Sequence, residues 1–566
     1  RVVTGQDIRA IVPEPYYGPA FHDQPILAVD KVRYAGEPVA VVLATDPHAA
    51  EEAAGRIVVD YEELPAVFDE VEAVTSKAIV HDVLKPAGTF PDLKHLQGKR
   101  NTNVALDFHL RRGDVERAFR EAAHVFEHTF RTQQVLHVPL EPFVSVAEPG
   151  EPALTIHTAS QSPSFVRIEI ARLLGRPENR VRVKVPYLGG GFGAKLYIKL
   201  EALVAVLALL TRRPVKISLT MEEQFYTLTK HAATLRIKSG VSKDGRVTAR
   251  ECEIWWNGGA YADIGPRITQ KSGFTAPGPY DIDNVSIDSY ALYTNLPPAG
   301  ALRGFGLPQP GWAYESHTDL IARGVKMDPV QVRRRHILRQ GRRQGTGTPM
   351  KDPAIDKVLE RVAARMDWGK PFDRGSGTLR RGRGIAIGFK AVIAPTTSVA
   401  IVNLYADGSC SLYCSTVDMG QGSDTAMAQI VAEVLGVPLE SITVVHPDTD
   451  VTPYDMATLG SRSMYHMGNA VKLAAEDARD KVLAMARELG LAAETTPIPD
   501  IFRKKYGMQA GNIVGTGSFI PTYQSPSHET GLTENATPFW MVGATGVEVE
   551  VDTDNGQVKI TRLVNV

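Results

Sequence analysis

Residues 164–186, SFVRIEIARLLGRPENRVRVKVP, and residues 425–447, TAMAQIVAEVLGVPLESITVVHP, carry one pattern twice. Each reads as a helix, a Leu-Gly-x-Pro stop and a Val/Ile-x-Val strand closed by proline. Leu174 and Leu435 stand 261 residues apart, and so do Pro186 and Pro447. Val166, Ile170, Leu173 and Leu174 recur at helical spacing, as do Met427, Ile430, Val431, Val434 and Leu435, so each helix has one apolar face to bury. Gly175 and Gly436 then serve as helix stops. Gln161 precedes the first helix and Gln421 the second, and a Gly/Ser-rich loop follows each copy. The constant offset argues for duplication: two related halves, each offering a helix start and a loop, able to enclose one ligand between them.

Around this repeat the chain has 566 residues, which at ~150 per domain gives a prior of three or four domains. With 63 basic and 64 acidic side chains the net charge is −1, which gives no electrostatic reason to meet nucleic acid or an anionic membrane. The 43% hydrophobic content is that of a chain able to bury large cores. The longest apolar helix candidate, residues 200–210, is interrupted by Glu201 and is shorter than the ~20 residues of a membrane span, so none is expected. The three cysteines, Cys252, Cys410 and Cys414, are too few for a two-iron cluster, which needs four thiolates, and read as packed free thiols.

Residues 37–44, 46–55 and 56–61 read as strand, helix and strand of a small opening α/β unit, and the Pro/Gly/Lys-rich residues 84–102 as a linker or surface excursion. Three domains are expected, at 1–102, 103–345 and 346–566. The chain opens on Arg1 and stops at Val566 inside a strand-like run. It is therefore expected to be the interior of a longer polypeptide, with parts of its first and last domains outside it.

Four loops carry the chemistry. Leu188-Gly189-Gly190-Gly191-Phe192-Gly193-Ala194-Lys195 exposes backbone N–H groups to an approaching anion, with the following helix start adding partial positive charge. It lacks the Lys-Ser/Thr ending of a nucleotide loop, since Leu196 follows Lys195. In Ala301-Leu302-Arg303-Gly304-Phe305-Gly306-Leu307-Pro308-Gln309, glycines let Arg303 and Phe305 aim a planar cation and a ring at a ligand. In Asp418-Met419-Gly420-Gln421-Gly422-Ser423-Asp424, the Gln421 amide between two glycines suits a pterin or purine edge, and Ser423 or Asp424 caps the helix. Leu459-Gly460-Ser461-Arg462-Ser463 reads as a second anion cradle. No Gly-x-Ser-x-Gly elbow is present, and His137 near Glu141 is the one suggestive acid–base pair, though satisfied structural residues are commoner there.

Taken in order, these loops together with Arg33-Tyr34-Ala35-Gly36-Glu37-Pro38-Val39-Ala40, Gly113-Asp114-Val115-Glu116-Arg117-Ala118-Phe119 and Gln161 resemble the molybdenum-binding subunit of the xanthine dehydrogenase and aldehyde oxidase family. The resemblance implies an α+β chain: a small α/β hammerhead domain followed by two related molybdopterin-binding domains. It implies hydroxylation, with oxygen from water, of an aldehyde or N-heteroaromatic substrate. Gly190, Gly191, Phe192 and Gly193 would bind the cofactor, Gly191 and Phe192 beside the metal, and Gln161 would hydrogen-bond its oxo group. Arg303 and Phe305 would shape the pocket, and Gly420, Gln421, Gly422, Gly460, Ser461, Arg462 and Ser463 would hold the pterin and its phosphates. Leu196, Lys271 and Phe305 would set specificity. No side chain would ligate the metal, which the pterin dithiolene holds; the pterin would carry a cytosine dinucleotide.

Electrons would leave to a [2Fe-2S] subunit and an FAD subunit. The family's catalytic glutamate sits in a late Gly-Glu-Pro motif beyond Val566; neither Gly36-Glu37-Pro38 nor Gly150-Glu151-Pro152 is assigned that role. Leu196, where purine oxidisers carry a carboxylate, disfavours a purine, and the lack of a cysteine in residues 301–306 disfavours carbon monoxide. The alternatives are a noncatalytic half whose glutamate comes from a second molybdopterin-subunit fragment, and a nucleotide-binding scaffold without molybdenum. A cytoplasmic location is expected, the periplasm remaining open.

Overall fold

In the computed structural model, which describes residues 1–83, 101–392, 396–527 and 529–566, the two copies of the repeat fold alike. Helix Pro163–Leu173 is followed by the short turn Glu178–Arg180 and strand Val181–Lys184; helix Ser423–Leu435 is followed by Leu439–Ser441 and Ile442–Val445, the turns and strands again 261 residues apart. Gly175 and Gly436 end the helices at φ +60° and +66°, a region that costs a side chain bearing a Cβ.

Each terminal strand lies parallel to its predecessor, Leu154–Thr158 or Cys410–Tyr413. Antiparallel strands Val144–Glu148 and Ser398–Tyr405 come next, and Val215–Ser218 and Asn512–Phe519 close the far edges. Both are four-stranded sheets with the same order, so the duplication extends well past the stretch in which sequence similarity is visible.

Each repeat has its own core. Val166, Ile170, Val183 and Val204 belong to the first; Leu412, Val431, Val471 and Phe502 to the second. In the second, helix Gly468–Glu488 lies directly on strand Asn512–Phe519: a Cβ at Gly515 or Gly517 would stand 2.1 Å from the carbonyl oxygen of Ala474 or Ala470. Glycine on the strand and alanine on the helix permit that approach.

A third core joins the halves. Val104–Arg112, Asn284–Leu292, Val247–Asn257, Ala232–Val241 and His124–Thr132 form a five-stranded sheet in that order. Leu379–Ala391, Trp540–Asp552 and Val558–Asn565 form a three-stranded one. Leu106, Trp256 and Ile287 of the first share one apolar cluster with Ile385, Phe389 and Ala544 of the second.

The opening unit differs from its expected form. Its helix is present at Pro47–Ala54, capped by Asp46, whose carboxylate accepts from Ala49 N at 2.9 Å. Its first strand is only Ala40–Val42, paired with Val2–Thr4. Residues 56–61 are not a strand: Val58 is 87% exposed, and β-branched residues favour a ladder only where another strand offers an edge. The expected excursion at residues 84–102 lies, save its last two residues, outside the described residues. No helix among the described residues is long and apolar enough to cross a membrane. All three thiols are buried, and burial pushes Cys252 and Cys414 up to about 12 and Cys410 to about 11, as packed, unreactive cysteines require.

Asp23 fastens the opening unit to the first half, accepting from Ala262 N and Tyr293 Oη at 2.8 Å each. Burial pushes this carboxyl up to about 7. Between the ordinary carboxylate range and that value the folded chain holds a proton that the unfolded chain releases. Asp23 therefore loses stability as pH rises through the window, by roughly 1.4 kcal/mol for each unit crossed. Asp23→Asn is expected to flatten this dependence. Melting temperatures at pH 5 and pH 7.5 should show the wild type falling relative to the variant; parallel curves would refute the assignment.

Candidate active site

The two repeat sheets meet where their parallel strands end. Val185 N donates to Pro447 O and Thr449 N to Val183 O, both at 3.0 Å, and Arg182 pairs with Asp448 at 2.6 Å. The loops that follow each copy are thereby brought to one place.

Gln161, 2% exposed at the head of the first repeat helix, stitches them together. Its backbone N donates to Lys195 O at 2.7 Å, and its backbone O accepts from Thr458 N at 2.8 Å. Its Nε2 donates to Thr458 O at 2.8 Å and its Oε1 accepts from Gly193 N at 2.9 Å, leaving one Nε2 hydrogen over. A Cβ on Gly191 would stand 2.4 Å from Gln161 Oε1 and 3.0 Å from Met419 Sδ. Loops from both halves thus close on a glycine.

The loop at residues 301–309 joins from the same side. Arg303 N donates to Phe192 O at 2.8 Å, and His137 Nε2 donates to Ala301 O at 2.7 Å. Arg303 is exposed and Phe305 half-buried, with Lys271 Nζ 5.4 Å from the Phe305 ring centroid. Leu196 is buried with Ile268 and Ala301, and Phe305 packs against that cluster. Phe192, Phe305 and Ser461 take φ of +56°, +54° and +67°, one left-handed non-glycine residue in each of three loops. Such strain persists only where surrounding structure enforces it, and it clusters at functional sites.

Several expectations need correction. The helix expected after the glycine loop begins at Glu201, so its start does not reinforce the loop's N–H groups. Glu141 accepts from Gly189 N at 2.8 Å and Lys195 Nζ at 2.6 Å, while His137 clasps Ala301; these two side chains hold separate loops and form no acid–base pair. Burial pushes His137 down to about 4, keeping it neutral.

Neither Ser423 nor Asp424 is the cap of the second repeat helix, which starts at Ser423 itself after Gly422 at φ +77°. Asp418 provides the capping carboxylate, accepting from Gly420 N at 2.9 Å and Asp424 N at 3.1 Å. The Gln421 amide folds back on its own loop, with Met419 N donating to Oε1 at 2.7 Å and Nε2 donating to Val417 O and Ser423 Oγ at 2.9 and 3.0 Å. Through these three bonds its amide shapes the loop.

Arg462 likewise faces inward, fully buried and paired with Asp455. Exposed Ser461 accepts from Lys390 Nζ at 2.6 Å, and Gly460 and Ser463 flank them on the way into the wide turn Ser463–Met467 and helix Gly468–Glu488. Glu37, buried, accepts from Tyr261 Oη and from Arg33 N at 2.6 Å, and Glu151 lies in a turn beside Arg180; both are structural. Thr458, Asp455 and Lys390 act through partners that their neighbours in the sequence do not reveal, while Asp418 acts within its own loop as a cap.

Comparison with known proteins matches this architecture. The family profile described as the aldehyde oxidase and xanthine dehydrogenase a/b hammerhead domain covers residues 1–65, and two profiles described as molybdopterin cofactor-binding domains cover 96–337 and 357–566. The nicotinate dehydrogenase large molybdopterin subunit of Eubacterium barkeri is 33% identical over 371 residues, covering 64% of this chain and 83% of that one. The chain belongs to the molybdenum-binding subunits of the xanthine dehydrogenase and aldehyde oxidase family. Its fold is similar to that of an aldehyde oxidoreductase from Desulfovibrio gigas, with TM-score 0.87 at 26% identity over 100% of this chain and 61% of that one. A probable hypoxanthine oxidase of Escherichia coli is 29% identical over 586 residues, 94% of this chain and 60% of its own. The chain thus spans about 60% of the length of such relatives.

Proposed function

We propose that this molybdopterin-family chain is the cofactor-holding part of a hydroxylase that adds oxygen from water to an aldehyde or an N-heteroaromatic compound. The observation that carries this reading is the closure of loops from both repeats on Gly191, between Gln161 and Met419. A site walled by glycine backbone and a buried amide fits a group recognised by hydrogen bonds. Gly420 and Gly422 have no protein atom within 4 Å of where a Cβ would stand, which leaves room for that group before the second loop. Bound molybdopterin would supply the two-electron oxidation chemistry. Gly190, Gly191, Phe192 and Gly193 would wall it on one side, and Gln161 would offer its remaining amide hydrogen. Gly420, Gln421, Gly422 and residues 460–463 would frame the pterin, in its cytosine dinucleotide form.

Arg303 and Phe305 would position the substrate, and the apolar setting of Leu196 gives a purine no acidic partner there. The relatives named for nicotinate and hypoxanthine support a heteroaromatic substrate class. Glu141 is committed to Gly189 and Lys195 and is not offered as the base; by the family resemblance the proton-accepting glutamate would come from outside these 566 residues, in the same polypeptide or on a second one. With three buried cysteines, electrons would pass to iron–sulfur and FAD groups held by partners. The assembly would work in the cytoplasm.

Gln421→Ala tests the cofactor reading. It removes three loop hydrogen bonds, each worth about 0.5–1.5 kcal/mol net. Pterin and molybdenum content are expected to fall by roughly tenfold, alongside a drop of about a few degrees in melting temperature. Full pterin content in the variant would refute the role given to this loop. A wild-type complex without molybdenum would overturn the hydroxylase and favour a nucleotide-binding scaffold.

A further inference from the structure

A cavity of about 190 Å³ lies away from the cofactor loops, between the opening unit and the first half. Tyr17 of strand Tyr16–Tyr17 and residues 34–38 contribute to one wall, and Lys199, Leu200 and helix Met221–Thr227 to the other. None of residues 188–195, 301–309, 418–424 or 459–463 lines it. The walls are held by the fold. A Cβ on Gly36, at φ +97°, would stand 2.6 Å from the Tyr226 ring, so residues 34–37 lie directly on that helix. Glu37 is fixed by Arg33 N and Tyr261 Oη, and Glu223 accepts from Thr220 N at 2.6 Å.

Tyr17 is 6% exposed and Tyr34 7%; both line the cavity, and among the described residues neither hydroxyl has a hydrogen-bond partner. Three other buried tyrosines have theirs: Tyr261 donates to Glu37, Tyr280 to Glu315 and Tyr293 to Asp23. Two orphaned hydroxyls on one cavity mark where an occupant would bond.

The surrounding charges set the sign of that occupant. Tyr17 is pushed well above the ordinary phenol range, first by burial and then by the carboxylates of Glu201, Asp263, Glu37 and Asp23. Burial and then Glu37 push Tyr34 up as well. Lys199 also lines the cavity, but its Nζ donates to Asp263 Oδ2 at 2.9 Å, and Arg33 offsets Glu37 only in part. With Glu223 added, five carboxylates face two cations. Phenol oxygens in a negative field accept a hydrogen from an ammonium more favourably than they donate to an anion, and aromatic walls favour a cation. Ile26, Leu200 and Leu203 offer apolar surface to its carbon body. A cavity of about 150 Å³ holds benzene, so this one suits a single ring with a short arm.

We propose that this cavity binds a small primary organic ammonium, its N–H groups bonded to the Tyr17 and Tyr34 oxygens beside Glu37 and its apolar body laid against Leu200 and Leu203. The site is separate from the cofactor loops and does not rest on the hydroxylase reading.

The probes are benzylammonium, its neutral counterpart benzyl alcohol and the anion benzoate, titrated calorimetrically into the isolated wild-type complex at neutral pH. Benzylammonium is expected to bind more tightly than benzyl alcohol by about tenfold or more, and benzoate not measurably. Tyr17→Phe combined with Tyr34→Phe is expected to weaken benzylammonium by about tenfold or more, since bonds from a charged donor are lost. Because neither hydroxyl holds another part of the protein, the melting temperature without probe and the pterin content should match the wild type. Undetectable binding of benzylammonium overturns the proposal, as does equal binding of cation and alcohol, or tighter binding of benzoate. Undiminished benzylammonium binding in the double variant also overturns it, placing the probe elsewhere. A double variant that is destabilised or fails to fold before any probe is added overturns it too, assigning the hydroxyls to the fold.

Discussion

Alanine at Asp455 is expected to destabilise the second half by about 3–5 kcal/mol, the range for removing one partner of a buried ion pair. Asp455 and Arg462 are each about 1% exposed. Arg462 donates from Nη1 to Asp455 and to Ala457 O at 3.0 Å, and from Nη2 to Thr397 O at 3.1 Å and Ser398 Oγ at 2.8 Å. Asp455 also accepts from Ser398 Oγ at 2.7 Å and Thr416 Oγ1 at 3.2 Å. Without the carboxylate, a guanidinium remains out of water with only neutral acceptors, next to Ser461, already held in the left-handed region. The loop at residues 460–463 should lose its set conformation, and with it the Lys390 contact. The melting temperature should fall on the order of 10 °C. Asp455→Leu combined with Arg462→Met should recover most of that loss, because an apolar pair of similar volume replaces a buried ion pair at little cost. A single Asp455→Ala variant that melts within a degree of the wild type would refute this account.

The same pair shows where sequence reading stops. Arg462 among glycine and serines looks like a phosphate ligand, because the neighbours in the chain are polar and the burial is not visible. Asp455, seven residues upstream, takes the guanidinium inward only once the strand Ser398–Tyr405 is laid beside it. Gln421 is similar: flanking glycines suggest an amide open on both faces, yet they also give the chain the freedom to fold that amide back onto Val417.

What was legible is what local chemistry decides. The apolar period of the repeat helices, the Leu-Gly-x-Pro corners and the glycine loops each depend on residues a few positions apart, and each is found where it was read. The pairing of Gln161 with Thr458 crosses 297 residues, and nothing in either segment names the other. Residues 56–61 failed for the complementary reason: strand propensity is a preference for pairing, and no described strand pairs with them.

Gly193→Ala is expected to part the two loops that frame the site. Gly193 has φ +107°, which side chains bearing a Cβ rarely adopt, and an added methyl would stand 2.3 Å from Ala301 O and 2.8 Å from its carbonyl carbon. Both are backbone atoms, so no rotamer change relieves the contact. The carbonyl is held by His137 Nε2, and the adjoining residues are tied by the Arg303 N to Phe192 O bond at 2.8 Å. Backbone strain of about 1–2 kcal/mol adds to about 1–3 kcal/mol of overpacking. Relief requires residues 301–305 to move away from residues 191–193, which also loosens Gly193 N from Gln161 Oε1. Pterin content should therefore drop more than roughly tenfold, a larger change than the fall in melting temperature alone would produce. Gly175→Ala is the matched control. Gly175 too has positive φ, +60°, but nothing lies within 4 Å of its missing Cβ, so it should lose only about 1 kcal/mol and keep its cofactor. If the two variants retain pterin equally, the contact between the glycine loop and residues 301–309 does not build the site.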